Sequence, residues 1–279
     1  MNNVEAIVLG YPRRPMARTS AMIQATKWRT SLLLLLAVTL GVGSVVLFAL
    51  WPLGTLRIVR PQWSEVKLLA WDAALSLLFF VQHSGMVRRR VRVRMATVIA
   101  PIYQPALYAI ASGLALLAVV LLWQPSAIRI VVLARPWRQV AQGFSIAALI
   151  LFAWGIFSLR SFDPLGVVPL ARHLRSKPSP PCPFTLGGAY RFVRHPLYLA
   201  IFVLFWSCPD VTADRLLLNG LWTAWMVVGT LWEEADLVAE FGDAYRSYRR
   251  AVPMLIPMTK RGAGQLAEPT HLRSSSGTG

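Results

Sequence analysis

The chain has 279 residues, 56% of them hydrophobic and only 15% charged, a balance too apolar for an ordinary soluble domain of this length, so it reads as an integral membrane protein. Its 29 Lys and Arg against 12 Asp and Glu give a net charge of +17. The basic residues stand between long apolar runs and not on one soluble surface, which argues against nucleic acid as a partner. Cys182 and Cys208 are the only cysteines, too few for a disulfide framework or a Cys-rich metal site.

Residues 1–27, with Arg13, Arg14 and Arg18, lack an apolar period and read as a flexible basic arm. The first apolar run, residues 30–51, is close to the roughly 20 residues that cross a bilayer. It is longer than a signal-peptide core and lacks a small-residue cleavage site, so it is expected to stay as an anchor. A second span over 64–86 is followed by VRRRVRVR, whose five arginines stop transfer and mark a cytoplasmic side. Third and fourth spans are expected over about 103–123 and 140–159. A linker rich in Pro, Arg and Lys, residues 160–183, then leads to GGAYRFVRHPLYLA at 187–200.

Beyond that motif, residues 196–207, the turn CPDVTAD and residues 215–232 form a helical hairpin whose first arm is short for a full span. Gly242 reads as a helix stop and Asp243 as the cap of a short amphipathic helix, ended by Pro253 and Pro257. The expected fold is all-α: a polytopic membrane bundle of about five to six spans with this hairpin as the site. Residues 28–258 make up the membrane domain, 182–258 its ligand-binding part, and 259–279 a disordered tail. With the N-terminus inside, the basic bias puts the 187–200 motif on the cytoplasmic face.

In the second span Asp72, Ser76 and His83 fall on one stripe, because four and eleven steps of about 100° return near the same azimuth. Ionisable groups in a span face a cavity or a partner. Two readings stay open: a functional stripe, or an interfacial His83 and Gln82 with Asp72 answering an arginine elsewhere. Tyr103, Gln104 and Tyr108 at the start of the third span read as an interfacial aromatic belt. No two histidines stand at ligand spacing, so neither a metal nor haem is expected.

The motif at 187–200 carries more. Pro196 forces His195 out of helical dihedrals, making Pro196 the first helical residue and His195 its cap. An anionic group is favoured there by the helix N-terminus and by Arg191 and Arg194, and Gly187 and Gly188 let backbone approach closely. The alternative is a positive-inside charge cluster with an ordinary cap. Glu233 and Glu234 close the second arm of the hairpin and return to the same membrane face. Two carboxylates at a helix C-terminus are disfavoured by the dipole, so a cationic partner, a ligand's hydroxyls and amine, or plain solvation must favour them.

These residues, GGAYRFVRHPLYLA, EEADLVAEFG and YRSYRRAVPMLIP, resemble the isoprenylcysteine carboxyl methyltransferase and phospholipid methyltransferase superfamily over about a quarter of the chain. LFFVQHSGMVRR, the tyrosine-bearing third span and SFDPLG at 161–166 look like its bacterial methanethiol S-methyltransferase branch, related to NnrU-type membrane proteins. The resemblance implies S-adenosyl-L-methionine as cofactor and a small thiol as acceptor. It implies that Tyr190, Arg194, His195, Pro196 and Tyr198 line the cofactor site with the loop Phe184, Thr185, Leu186, Gly187 and Gly188, and that Glu233 and Glu234 close it. His83 becomes the candidate for activating the thiol, with Asp72, Gln82 and Tyr103 as candidate pocket residues.

Two departures stand out. Ala200 replaces the usual glycine, and Gly229 stands where prenylcysteine methyltransferases carry a substrate-orienting arginine, which argues against a prenylcysteine carboxylate. A lipid amine acceptor, a nicotinamide-dependent sterol-type reductase and a non-enzymatic membrane accessory protein are the competing readings.

Overall fold

The computed structural model describes residues 20–51, 61–158, 163, 165–175 and 187–256, with side chains from residue 27 onward. Most of the basic arm, Cys182, the loop residues Phe184, Thr185 and Leu186, and the tail from 257 lie outside them. Nine helices are described: α1 (Ser20–Leu50), α2 (Glu65–Val87), α3 (Arg89–Met95), α4 (Gln104–Leu122), α5 (Arg135–Ser158), α6 (Val167–Leu174), α7 (Pro196–Trp206), α8 (Ala213–Phe241) and α9 (Asp243–Ala251). Two short strands, β1 (Arg129–Val132) and β2 (Asp210–Thr212), join them.

Four of these helices, α1, α2, α4 with the turn before it, and α5, are long and apolar enough to cross a membrane. Their outward side chains are apolar as well: Leu35, Leu78, Ile150 and Phe157 are all exposed, which a bilayer satisfies and water does not. Helix α7 has 11 residues, about 16 Å at 1.5 Å per residue, so it reaches about halfway through a 30 Å hydrocarbon core. Among the described residues the bundle is thus four spans plus a hairpin of one short and one long arm.

Three boundaries differ from the sequence expectation. Helix α1 reaches back to Ser20, into the stretch expected as a free arm. Helix α8 ends at Phe241, where Gly242 stops it as expected, but Glu233 and Glu234, expected to close the arm, stand two turns before that end because ADLVAEF continues a favourable helical sequence. The carboxylates therefore stand within the helix and escape most of the end-dipole penalty. The cap of α9 is Gly242, and Asp243 is the first helical residue, paired with Arg246 at 2.8 Å.

The turn expected at CPDVTAD is partly a strand. Its β2 pairs antiparallel with β1, Arg129 opposite Thr212 and Val132 opposite Asp210, with a bulge between. The β-branched run at Ile130, Val131 and Val132 suits that pairing. Arg138 donates two hydrogen bonds to Asp210, at 2.6 and 2.9 Å, and these hold the Asp210 carboxyl below its usual range.

Helix α1 packs along α4, α4 along α2, α2 along α8, and α5 along α7. The central core lies among α2, α4, α7 and α8, where Phe79, Phe80, Leu116, Val120, Phe205 and Trp222 are buried. An aromatic column runs through it: Phe48 stacks on Trp222 at 4.9 Å, Trp222 on Phe79 at 5.0 Å, and Phe79 on His83 at 4.9 Å.

The α1–α4 seam is set by Gly113, where an added Cβ would meet the Leu40 carbonyl oxygen at 2.6 Å. Small residues let membrane helices approach this closely. Gly113→Leu is expected to force α1 and α4 apart at about 2 kcal/mol, lowering the melting temperature of the detergent-solubilised protein by on the order of 5 °C. Gly143→Leu, where a Cβ meets nothing within 4 Å, should leave it unchanged; equal melting of the two variants would contradict the close seam.

Candidate functional site

The site begins where the chain enters α7. Gly188 holds φ at +53°, and a Cβ there would collide with Ser158, so glycine suits both the backbone and the space. Ser158 Oγ accepts the Ala189 N–H at 3.1 Å, tying the turn Gly188–Arg191 to the end of α5. His195 then leaves helical geometry at φ −126° and ψ 65°, with Pro196 as the first residue of α7. The N–H groups of Leu197 and Tyr198, at the start of α7, have no partner one turn back in the helix.

Opposite this turn stand the two carboxylates of α8, and they take different partners. Glu234 is buried; its Oε1 receives Arg194 at 2.7 Å and His195 Nε2 at 3.2 Å. Glu233 is 43% exposed along its side chain; its Oε2 accepts the Tyr198 hydroxyl at 2.9 Å and lies 3.9 Å from His195 Nδ1. Of the pair, Glu234 is committed within the protein, whereas Glu233 keeps acceptor capacity toward open space.

Arg194, expected to face an anionic ligand, turns inward. Its guanidinium also donates to the carbonyl oxygens of Arg249 at 2.8 Å and Val252 at 2.6 Å, and its side chain is only 9% exposed. The segment after α9 closes on the same spot, because Arg194 and His195 donate their backbone N–H groups to Pro253 and Met254. Tyr248 on α9 donates to the Tyr190 carbonyl at 2.7 Å. Burial, and after it the Glu233 charge, pushes the Tyr190 hydroxyl above its usual range. Burial, and then Glu234, takes Tyr245 up to about 12. These phenols stay protonated at neutral pH.

Deeper in the bundle lies a second polar cluster. His83 Nδ1 is 3.2 Å from Ser112 Oγ, and the Tyr108 hydroxyl lies 3.1 Å from both ring nitrogens. Gln82 donates to Ser112 at 3.3 Å while its Oε1 is buried with no hydrogen-bond partner. An orphaned buried acceptor is costly, and a ligand donor would satisfy it. Tyr108 is within electrostatic reach of Glu233, and Tyr198 of Tyr108.

Sequence reasoning missed Tyr108 and Ser112. They stand four residues apart on α4 as the polar pair of one face, a signal outweighed by the frequency of tyrosine in interfacial belts. Two proposed pocket residues lie elsewhere. Tyr103 sits 3.5 Å from Thr30 and edge-on to His173. Asp72 shares the azimuth of His83, yet 11 residues separate them by about 16 Å along the helix. Among the described residues Asp72 answers no arginine: its Oδ1 accepts the Gln124 N–H at 2.9 Å. Ser76, between them, accepts from Trp222 at 3.2 Å. Around Gly229 a Cβ would meet nothing within 4 Å, so no neighbour demands glycine there, and Ala200 is buried. Among the described residues, no group of three or more His, Cys, Asp or Glu is placed to hold a metal ion.

No family model and no solved structure matches the chain. Curated proteins do. The methanethiol S-methyltransferase of Pseudomonas sp. (strain GM41(2012)) is 36% identical over 200 residues, covering 70% of this chain and 75% of that protein. Methanethiol S-methyltransferase 1 of Bradyrhizobium diazoefficiens is 35% identical over 195 residues, 70% and 68% of the two chains. Human nurim is 28% identical over 179 residues, 61% of this chain and 68% of nurim. Four apolar helices long enough to span a membrane, the paired polar clusters and these identities place the chain together: it belongs to the methanethiol S-methyltransferase family of membrane proteins.

Proposed function

We propose that the protein transfers a methyl group from S-adenosylmethionine to a small thiol, methanethiol above others, giving dimethyl sulfide. The observation that carries this reading is a pair of polar clusters, Tyr198–Glu233 and His83–Tyr108–Gln82, that lie within electrostatic reach of one another. The site lies at the membrane face that carries Arg88, Arg89, Arg90, Arg92 and Arg94, as well as Arg246, Arg249 and Arg250 on α9. That basic excess supports a cytoplasmic orientation in a bacterial inner membrane.

The donor set fits the cofactor. Glu233 has open acceptor capacity for ribose hydroxyls or an amine, and the N–H groups at the start of α7 suit a carboxylate. When bound, S-adenosylmethionine supplies a methyl group on a sulfonium, a carbon ready for in-line displacement. The chain's own work is to orient, to exclude water and to move one proton. A cysteine thiol, with a pKa of about 8.5, is only a few per cent ionised at neutral pH, and a simple alkanethiol, which lacks its electron-withdrawing neighbours, is ionised less. His83 takes the thiol proton at a ring nitrogen, with the Tyr108 and Ser112 hydroxyls fixing the imidazole. The orphaned Gln82 oxygen holds the S–H beforehand. The product thioether has no S–H, so it loses that hydrogen bond and is released more easily.

His83→Ala is expected to lower dimethyl sulfide formation at neutral pH by about 100-fold. The residual rate should rise about tenfold per pH unit below the thiol's own pKa, because ionisation then falls to solvent. Headspace gas analysis of membranes fed methanethiol measures both; an undiminished rate would remove His83 from the mechanism.

The two glutamates should separate. Glu233→Gln weakens S-adenosylmethionine binding by about tenfold in calorimetric titration while the melting temperature holds. Glu234→Gln leaves Arg194 and His195 without their carboxylate and costs about 3 kcal/mol of stability, seen as a lower melting temperature. Identical behaviour of the two variants would contradict the division of roles.

A further inference from the structure

Along the outer seam of α2 and α8 the surface opens into a groove of about 820 Å³. Its apolar walls are Phe80 and Val81 on α2 and Trp225 and Trp232 on α8, and its upper rim is formed by Arg88, Arg89 and Arg90. From Phe80 to Arg88 is eight residues, about 12 Å along the helix. The groove therefore starts in the hydrocarbon region and ends at headgroup depth.

Its floor is fixed. Phe80 and Trp225 stack at 4.8 Å with their planes 7° apart, and Trp225 donates to Ser84 Oγ at 3.0 Å. The rim charges are not all spent inside the protein. Arg88 pairs with Asp236 at 2.8 Å, donates to the Ser84 carbonyl and lies 5.1 Å from the Trp232 ring centre. Arg89 and Arg90 are exposed, and among the described residues neither meets a carboxylate at ion-pair distance. With Asp236 the only acid lining the groove among the described residues, the rim keeps two uncompensated positive charges.

An apolar slot that ends in two free guanidiniums matches one kind of molecule in a bilayer. We propose that the α2–α8 groove binds an anionic phospholipid, with an acyl chain along Phe80, Val81 and Trp225 and the phosphate between Arg89 and Arg90. A zwitterionic headgroup carries its own cation and leaves the rim uncompensated. A free phosphate uses the rim alone and gains nothing from the walls. Basic pockets between membrane helices recognise acidic headgroups in this way. The proposal goes beyond the methyl-transfer reading and does not depend on it.

Native mass spectrometry of the whole protein released from nanodiscs of phosphatidylcholine and phosphatidylglycerol in equal parts reads the outcome. The wild type should retain phosphatidylglycerol preferentially. Arg89→Ala with Arg90→Ala should reduce that preference by about fivefold per arginine, while Arg92→Ala with Arg94→Ala leaves it intact. Gly85→Leu keeps every charge and adds bulk at the groove wall, where a Cβ meets nothing within 4 Å; it should displace the retained lipid. Glycerol phosphate and inorganic phosphate should not compete. The proposal is overturned by equal loss in both arginine pairs, which marks diffuse surface attraction. It is overturned equally by retention unaffected in Gly85→Leu, or by displacement with inorganic phosphate.

Discussion

Everything at this membrane face depends on one buried carboxylate. Glu234 receives Arg194 and His195 on the same oxygen, and Arg194 in turn holds the last carbonyls of α9. Three stretches of chain distant in sequence, the start of α7, the second arm of the hairpin and the segment after α9, are fastened at that point. A charge so buried is costly unless it is matched by opposite charge and by hydrogen bonds. Here both are supplied, and the cost of breaking the match is what keeps the turn before Pro196 in place.

The clasp also explains why two adjacent glutamates are needed. A single carboxylate could fasten the turn or offer acceptors to a ligand, and Glu234 is consumed by the first task. Residues 233 and 234 differ by about 100° in azimuth on α8, enough to turn one inward and the other toward Tyr198 and open space. The clasp thereby positions its neighbour: with Glu234 fixed, the Glu233–Tyr198 contact has little freedom left, which is the pre-organisation a binding site requires.

Much of this was legible in the chain itself. Proline after histidine dictated the start of α7, Gly242 dictated the end of α8, and four apolar runs dictated the spans. Roles that depend on which partner comes within 3 Å were not legible. Arg194 looked like an anion ligand from its place beside a helix start, and only the return of Val252 beside it shows where its donors go. Asp72 and His83 share an azimuth, and periodicity carries no measure of the depth between them. Tyr108 was hidden for the opposite reason: its residue type is common at membrane interfaces, so composition favoured the ordinary explanation until His83 was found against it.

Depth is the remaining constraint on the chemistry. The column Phe48, Trp222, Phe79 and His83 brings an apolar path to the edge of the polar cluster, while Glu233 and Tyr198 stand toward the aqueous face. A small thiol partitions into hydrocarbon, whereas a charged nucleoside does not. An enzyme that joins them gains from a site at the boundary, with each reactant arriving from the phase it prefers. In the proposed reaction the short α7 then acquires a reason for its length: stopping partway across the membrane places its N-terminal N–H groups where a water-soluble cofactor can reach them and leaves the apolar side to the thiol.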